Sequence, residues 1–335
     1  MDKNISPDYE LLRQLTQTFG PSGSEEQVSA LIASQIRPFC DEIRTDALGN
    51  LMAIKHGKGP KIMIAAHMDE IGVMVTYIDE KGFLRFTTLG GIHIKELSYR
   101  RVQFADGRIG TIGMEKMDKP NELKLENLFI DIGAGSAAEA EQMVSIGSSA
   151  VFVGDYYQSG SYITSKALDD RVGCFAAIEA LKQLKSEQEF YFVFTAQEEV
   201  GLRGSKTAAY ALNPDLALSV DVTSTGDVPK GKTPDIKLGK GTAIKVLDRS
   251  MITPPHIKEW MGGTAEKHQI PYQWEVLEAG GNDGGAILLS RGGIPTGVVS
   301  IPTRYVHSPS EKVSTHDIEA SIALLTHLLQ NPIQL

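Results

Sequence analysis

Five short stretches of the chain carry side chains able to hold a cation or move a proton, and each ends or follows an apolar run. Ala65-Ala66-His67-Met68-Asp69-Glu70 offers an imidazole and a carboxylate two residues apart. On extended backbone such side chains point to the same side. A carboxylate placed there can accept the second ring N–H of a metal-bound His and fix its tautomer; an ordinary polar strand end is the other reading. Leu168-Asp169-Asp170-Arg171 opens a helical pattern, where an Asp is either a ligand or an N-cap. Glu198-Glu199-Val200-Gly201 follows the most apolar run in the chain, Glu-Phe-Tyr-Phe-Val-Phe-Thr. Paired glutamates are commonly a solvated face, but a buried run before them and a glycine turn after them weaken that reading. Asp221 sits inside an apolar run and needs a partner, because an unpaired buried carboxylate is costly: a cation, a cap or a buried Arg. His307-Ser308-Pro309 follows another apolar run and is a ligand stretch or a plain loop.

Taken together, two histidines and four acidic residues at strand ends can supply two divalent ions. Such a pair needs one carboxylate able to bridge and one or two further ligands for each ion. Oxygen and nitrogen ligation suits zinc, cobalt or manganese. Cys40 and Cys174 are too few for a zinc–thiolate cage or a disulfide framework. His316 caps or precedes the closing helix, and the other histidines fit no ligand pattern.

The elements that must position these stretches read as two textures. Apolar periodicity predicts helices over 10–19 and from Ser24 onward, where Ser24 and Gln27 form a capping-box pattern. Strands are expected at 50–55 and 61–66. From 71 to 162 short β-like runs recur, separated by Gly, Asp, Asn and Pro, which suggests a small barrel or sandwich. After Ser165 helices (170–185, 204–212, 257–268, 317–329) alternate with strands (189–195, 216–222, 294–301). Alternation of this kind implies an α/β domain with helices on both faces of a mostly parallel sheet. Ligands bind at the carboxyl ends of such strands, where the five stretches fall. The expected organisation is a discontinuous catalytic domain, 1–70 and 163–335, interrupted by an inserted β domain, 71–162.

The 335 residues include 33 Lys+Arg against 42 Asp+Glu, a net charge of −9, and 41% are hydrophobic. The acidic balance argues against a nucleic-acid binder, and the apolar fraction supports a real core. No window approaches about 18 consecutive apolar residues, so no transmembrane helix is expected. The first residues lack a basic stretch leading into an apolar run, so a cytoplasmic location is expected.

In order and spacing, His67-x-Asp69, Leu168-Asp169-Asp170-Arg171, Glu198-Glu199-Val200-Gly201, Asp221 and His307-Ser308-Pro309 resemble the co-catalytic metallo-aminopeptidases. The branch is that of bacterial glutamyl aminopeptidases and archaeal tetrahedral aminopeptidases, some of which carry an endoglucanase label. The likeness runs across nearly the whole chain, including the β insertion and the Gly226-Asp227-Val228-Pro229 turn. It implies that Asp169 bridges two metals, that His67 and Asp221 complete one site, and that Glu199 and His307 complete the other. It further implies Glu198 as general base, Asp69 as the group orienting His67, and a cis peptide after Asp169. The inserted domain would be PDZ-like and would mediate assembly into a hollow dodecamer. Substrates would be short peptides with a free N-terminus, cleaved by a metal-activated water. A deacylase or carboxypeptidase of the same architecture, a glucanase and a non-catalytic scaffold are the competing readings. The chain departs from the family's Gly-Gly-Thr-Asp-Ala at Gly280-Gly281-Asn282-Asp283-Gly284, so side-chain preference does not transfer.

Overall fold

The computed structural model describes residues 7–231 and 236–333. Its larger sheet has eleven strands. The centre is Glu189–Thr195, Lys61–His67, Leu216–Ser224 and Thr296–Arg304, in that order and all parallel. Parallel pairing in the main sheet path stops there. Leu51–Lys55 and Glu42–Thr45 flank one side antiparallel, and Glu311–Ser314, Tyr162–Ser165 and Tyr157–Ser159 flank the other. The sheet is therefore mixed, and the four strands that run parallel along its main path are those at whose ends the polar stretches cluster. Thr242–Leu247 and Tyr272–Val276 branch from Thr296–Arg304.

The alternation in Glu189–Thr195 shows why this strand is apolar on both sides. Phe190, Phe192 and Phe194 enter one core with Leu12, Leu15, Ile32 and Phe175, from helices Tyr9–Gln17, Glu26–Ile36 and Leu168–Gln183. Tyr191 and Val193 enter a second core with Ala208, Leu212 and Ile287, from helices Arg203–Leu212 and Asp283–Leu288. A strand covered on both faces needs a near-continuous hydrophobic run.

The insertion is a closed antiparallel barrel of Gly72–Ile78, Leu84–Leu89, Leu128–Asp131, Ile109–Met114, Arg101–Phe104 and Ser149–Phe152. Closure removes the exposed strand edges that an isolated small sheet would present. It has its own core, with Val73, Leu84, Val102, Ile112 and Ile130 fully buried. The chain is back in the large sheet by Tyr157, ahead of the return at 163 expected from the sequence. A polar three-residue strand there has the same turn-rich texture as the barrel strands. The capping box expected at Ser24 is not formed: Glu25 stands at the N-cap of Glu26–Ile36 and makes no side-chain cap bond. His316 is an exposed residue in the first turn of Thr315–Gln330. Among the described residues no helix is long and apolar enough to cross a membrane.

Candidate active site

The four parallel strands end at one edge of the sheet, and His67 is the last residue of its strand, 2% exposed. Its Nε2 lies 3.0 Å from Asp169 Oδ1 and 4.0 Å from both Asp221 Oδ1 and Glu198 Oε2. Its Nδ1 faces the main-chain carbonyl oxygen of Asp69 at 3.0 Å. A carbonyl oxygen only accepts, so Nδ1 carries the proton in the neutral ring and Nε2 keeps its lone pair for a cation.

Asp169 is placed by a break in the helix that follows it. Asp169 and Asp170 have non-helical backbone angles within Leu168–Gln183, and the peptide between them is cis. Capping falls to the second residue, since Asp170 Oδ1 accepts the Gly173 N–H at 3.1 Å. Asp169 is thereby free to face two ways, with Oδ1 toward His67 and Oδ2 3.3 Å from His307 Nε2.

Glu198 and Glu199 are not a solvated pair, for their side chains are 10% and 4% exposed. Glu199 Oε2 lies 3.4 Å from His307 Nε2, and its other oxygen is buried with no hydrogen-bond partner. The Asp69 carboxylate accepts the N–H groups of Glu198 (2.9 Å) and Glu199 (3.1 Å) and the Ser22 hydroxyl (2.6 Å). It stands 3.4 Å from His67 Nδ1. Asp69 thus meets the ring chiefly through its carbonyl, because three other donors fill its carboxylate.

His307 follows Thr296–Arg304 in a left-handed conformation, φ +62°. Its Nδ1 donates to the Gly91 carbonyl at 2.7 Å, again leaving Nε2 free. Gly91 lies just beyond the barrel strand Leu84–Leu89, so the insertion reaches this edge of the site. Sequence reasoning missed that carbonyl, which has no side-chain signature. It also missed Glu311, 1% exposed, whose two oxygens accept the N–H groups of Asp169 (2.9 Å) and His307 (2.8 Å). An acid four residues after His307 was the only signal in the sequence, and the strand it opens was not legible there.

All seven residues singled out from the sequence therefore meet in one place. His67, Asp169 and Asp221 form one group of donors, and Asp169, Glu199 and His307 a second, each with its donor atoms within 4.8 Å of one another. Among the described residues no Lys or Arg forms an ion pair with Asp169, Glu198, Glu199 or Asp221. Burial, with like charges nearby, pushes Glu199 up to about 8 and Asp221 up to about 7, and holds Glu198 well above the ordinary range. Burial works against protonation of the imidazoles but loses to the carboxylates: His67 lies well above its usual value, held by Glu198 and Asp169, and His307 rises to about 10 beside Asp169 and Glu199. Burial likewise opposes ionisation of Asp169, yet hydrogen bonds from His307 and His67 hold it below the usual range. Four carboxylates facing two imidazoles, one with a buried oxygen lacking any donor, make a set that divalent cations fit.

The M42 glutamyl aminopeptidase family model matches residues 49–324. A putative aminopeptidase of Acetivibrio thermocellus is 51% identical over 323 residues, covering 96% of this chain and 98% of its own. Among solved structures, an aminopeptidase of the archaeon Desulfurococcus kamchatkensis has a TM-score of 0.91 at 40% identity, over 96% of this chain and 94% of that one. The TET1 peptidase of Pyrococcus horikoshii, which can assemble into a tetrahedron or a large octahedral shell, has a TM-score of 0.87 at 35% identity, over 96% and 99%. The match runs through every segment that brings a donor to the cluster, and the chain belongs to the M42 glutamyl aminopeptidase family, acting as an aminopeptidase that hydrolyses peptide bonds at the amino-terminal end.

Proposed function

We propose that this aminopeptidase works with two divalent ions, zinc or cobalt with manganese as a third candidate, bridged by Asp169. His67 and Asp221 complete one site, and Glu199 and His307 the other. The observation that carries the reading is the pair of donor groups with Asp169 in common. When bound, the ions supply Lewis acidity, polarising the scissile carbonyl and making a water acidic enough to attack at neutral pH. Glu198, 4.0 Å from His67 Nε2, takes the proton of that water and returns it to the leaving amine. Asp69 and Gly91 hold the two imidazoles in the tautomer that leaves Nε2 unprotonated. Glu311 fixes the backbone of Asp169 and His307 together.

Short peptides with a free N-terminus are the proposed substrates, the carboxylate-rich cleft receiving the α-amine. The proposed assembly is a closed homo-oligomer, up to a dodecamer, by analogy with the shell-forming Pyrococcus horikoshii relative. Metal analysis of reconstituted protein tests the centre: two ions per chain, and loss of both in Asp169→Asn, are expected. One ion per chain at saturation, or Asp169→Asn retaining two, refutes the shared-ligand assignment. Acetylating the peptide N-terminus should abolish cleavage, and equal rates on acetylated and free peptides would favour a deacylase-type activity.

A further inference from the structure

The backbone that presents Glu198 and Glu199 is held in an unusual way. Four consecutive N–H groups, Ala196 to Glu199, each donate to a buried side-chain oxygen. Asn50 Oδ1 accepts from Ala196 at 3.0 Å and Glu25 Oε1 from Gln197 at 3.0 Å. The two Asp69 oxygens accept from Glu198 and Glu199 at 2.9 and 3.1 Å. The three acceptors come from three separate places in the chain, and Asn50, Glu25 and Asp69 are 0%, 5% and 0% exposed. Gln197 itself sits at φ +56°, a region that side-chain-bearing residues adopt only when their surroundings enforce it.

Glu25 is the member of this set whose placement the fold alone does not explain. It occupies the N-cap of Glu26–Ile36, yet its carboxylate caps nothing there. The oxygen that accepts from Gln197 also accepts the Gly23 N–H at 2.8 Å. The turn that carries it, Gly20 to Glu25, is tied to the same strand end as His67. Gly20 O accepts the Glu70 N–H at 3.0 Å, and Ser22 donates to Asp69. Arg171 grips Thr18 O and Gly20 O from the other side at 3.0 and 3.2 Å.

We infer that Glu25 is a positioning residue for catalysis: through the Gln197 amide it sets the backbone from which Glu198 reaches the reacting water. The inference rests on the reading of Glu198 as general base. It demands an acceptor oxygen at the reach of a Glu side chain, and it does not demand a charge. A displacement of about 1 Å at a reacting group costs on the order of 100-fold in rate, so loss of this anchor should act on kcat.

The test compares Glu25→Gln, Glu25→Asp and Glu25→Ala in the full-length, metal-saturated enzyme, with Glu198→Gln in parallel. Turnover of an aminoacyl-amide panel is normalised to the folded, metal-loaded fraction. Glu25→Gln keeps an acceptor oxygen at the same reach and should retain kcat within about threefold. Glu25→Asp keeps the charge but is one methylene short; it should lose roughly 10- to 100-fold in kcat, with KM and metal content little changed, and Glu25→Ala should match it. Wild-type kcat in Glu25→Asp, even with a lowered melting temperature, overturns the inference by showing a merely structural role. Glu25→Gln as impaired as Glu25→Asp also overturns it, since charge would then be what matters. A fully active Glu198→Gln removes the base assignment separately, whatever the Glu25 variants do.

Discussion

Loading this cluster with zinc should expel protons, and the number follows from the geometry. Metal ligation needs ionised carboxylates and neutral imidazoles. At pH 7 Glu199, raised to about 8, is mostly protonated, and Asp221, at about 7, is half protonated. His307, raised to about 10, and His67, well above its usual value, are both cationic, whereas Asp169 is already ionised and contributes nothing. Filling both sites should therefore release about three protons per chain, and apparent affinity should climb steeply from pH 6 to pH 8. Calorimetric titration of metal-free protein in buffers of different ionisation enthalpy measures that count. The same groups set the sign of stability against pH in the metal-free protein. A carboxyl whose folded pKa is raised keeps a proton that the unfolded chain has lost. Its stabilisation is complete below about pH 4 and lost as pH rises through about 7 to 8. Raised imidazoles act in the same direction above pH 6.5. Metal-free protein should thus lose stability from pH 5 to pH 8, while protein in excess zinc gains it, because binding to the folded state strengthens with pH. Release of less than about one proton, or metal-free stability that rises across that window, would refute the reasoning.

Glu198→Gln should cut turnover by roughly 10²–10⁴-fold with both ions retained, while Glu199→Gln should lose metal and be partly rescued by excess; kinetics with metal analysis would expose a reversal of the two roles. Gly90→Ala should weaken the Glu199–His307 site several-fold in metal titration, because a Cβ there would lie 2.9 Å from Glu199 Oε2 and 2.7 Å from Ile71 Cγ2, at φ +88°; unchanged affinity would show that this loop yields freely. Arg171→Met should destabilise the fold by about 3–5 kcal/mol, since the fully buried guanidinium bonds the carbonyls of Met68, Leu15, Thr18 and Gly20 and faces Glu70. Denaturant unfolding measures that loss, and a change below about 1 kcal/mol would mean that water replaces the guanidinium.

The parallel centre of the sheet was legible because its strands are covered on both faces and so read as unbroken apolar runs. Glu189–Thr195 falls where the pattern placed it, and Lys61–His67 runs one residue past the expected 61–66. Thr242–Leu247 and Tyr272–Val276 were not legible, and a charge pair is the reason. Lys245 interrupts one strand and Glu275 the other, yet they are register partners, their side chains 2.5 Å apart and 3% and 0% exposed. Lys245 looks like a break in a buried strand, and Glu275 is the one buried residue of a strand otherwise partly exposed, so neither reads as core until the other is placed opposite it. Glu311–Ser314 is short, with three polar residues in four, and only its pairing with Thr296–Arg304 and Tyr162–Ser165 makes it a strand.

The candidate site divides along a similar line. Residues able to donate to a cation stand out only together: each stretch alone also reads as a cap, a loop or a solvated face, but five of them end or follow apolar runs of one α/β pattern. The groups that aim them do so through the main chain. Asp69, Glu25, Asn50 and Glu311 each spend a buried oxygen on backbone N–H groups of the segments that carry Asp169, Glu198, Glu199 and His307. An amide N–H is common to nearly every residue, so nothing at the receiving position marks it as held. The barrel's contribution is of the same kind, a Gly91 carbonyl that sets one tautomer. From the sequence the insertion bears no ligand and so looks detachable from the chemistry. The structure makes it a wall of the site, since withdrawing Gly91 would leave His307 Nδ1 without its acceptor and the ring free to adopt the tautomer that cannot bind a cation through Nε2.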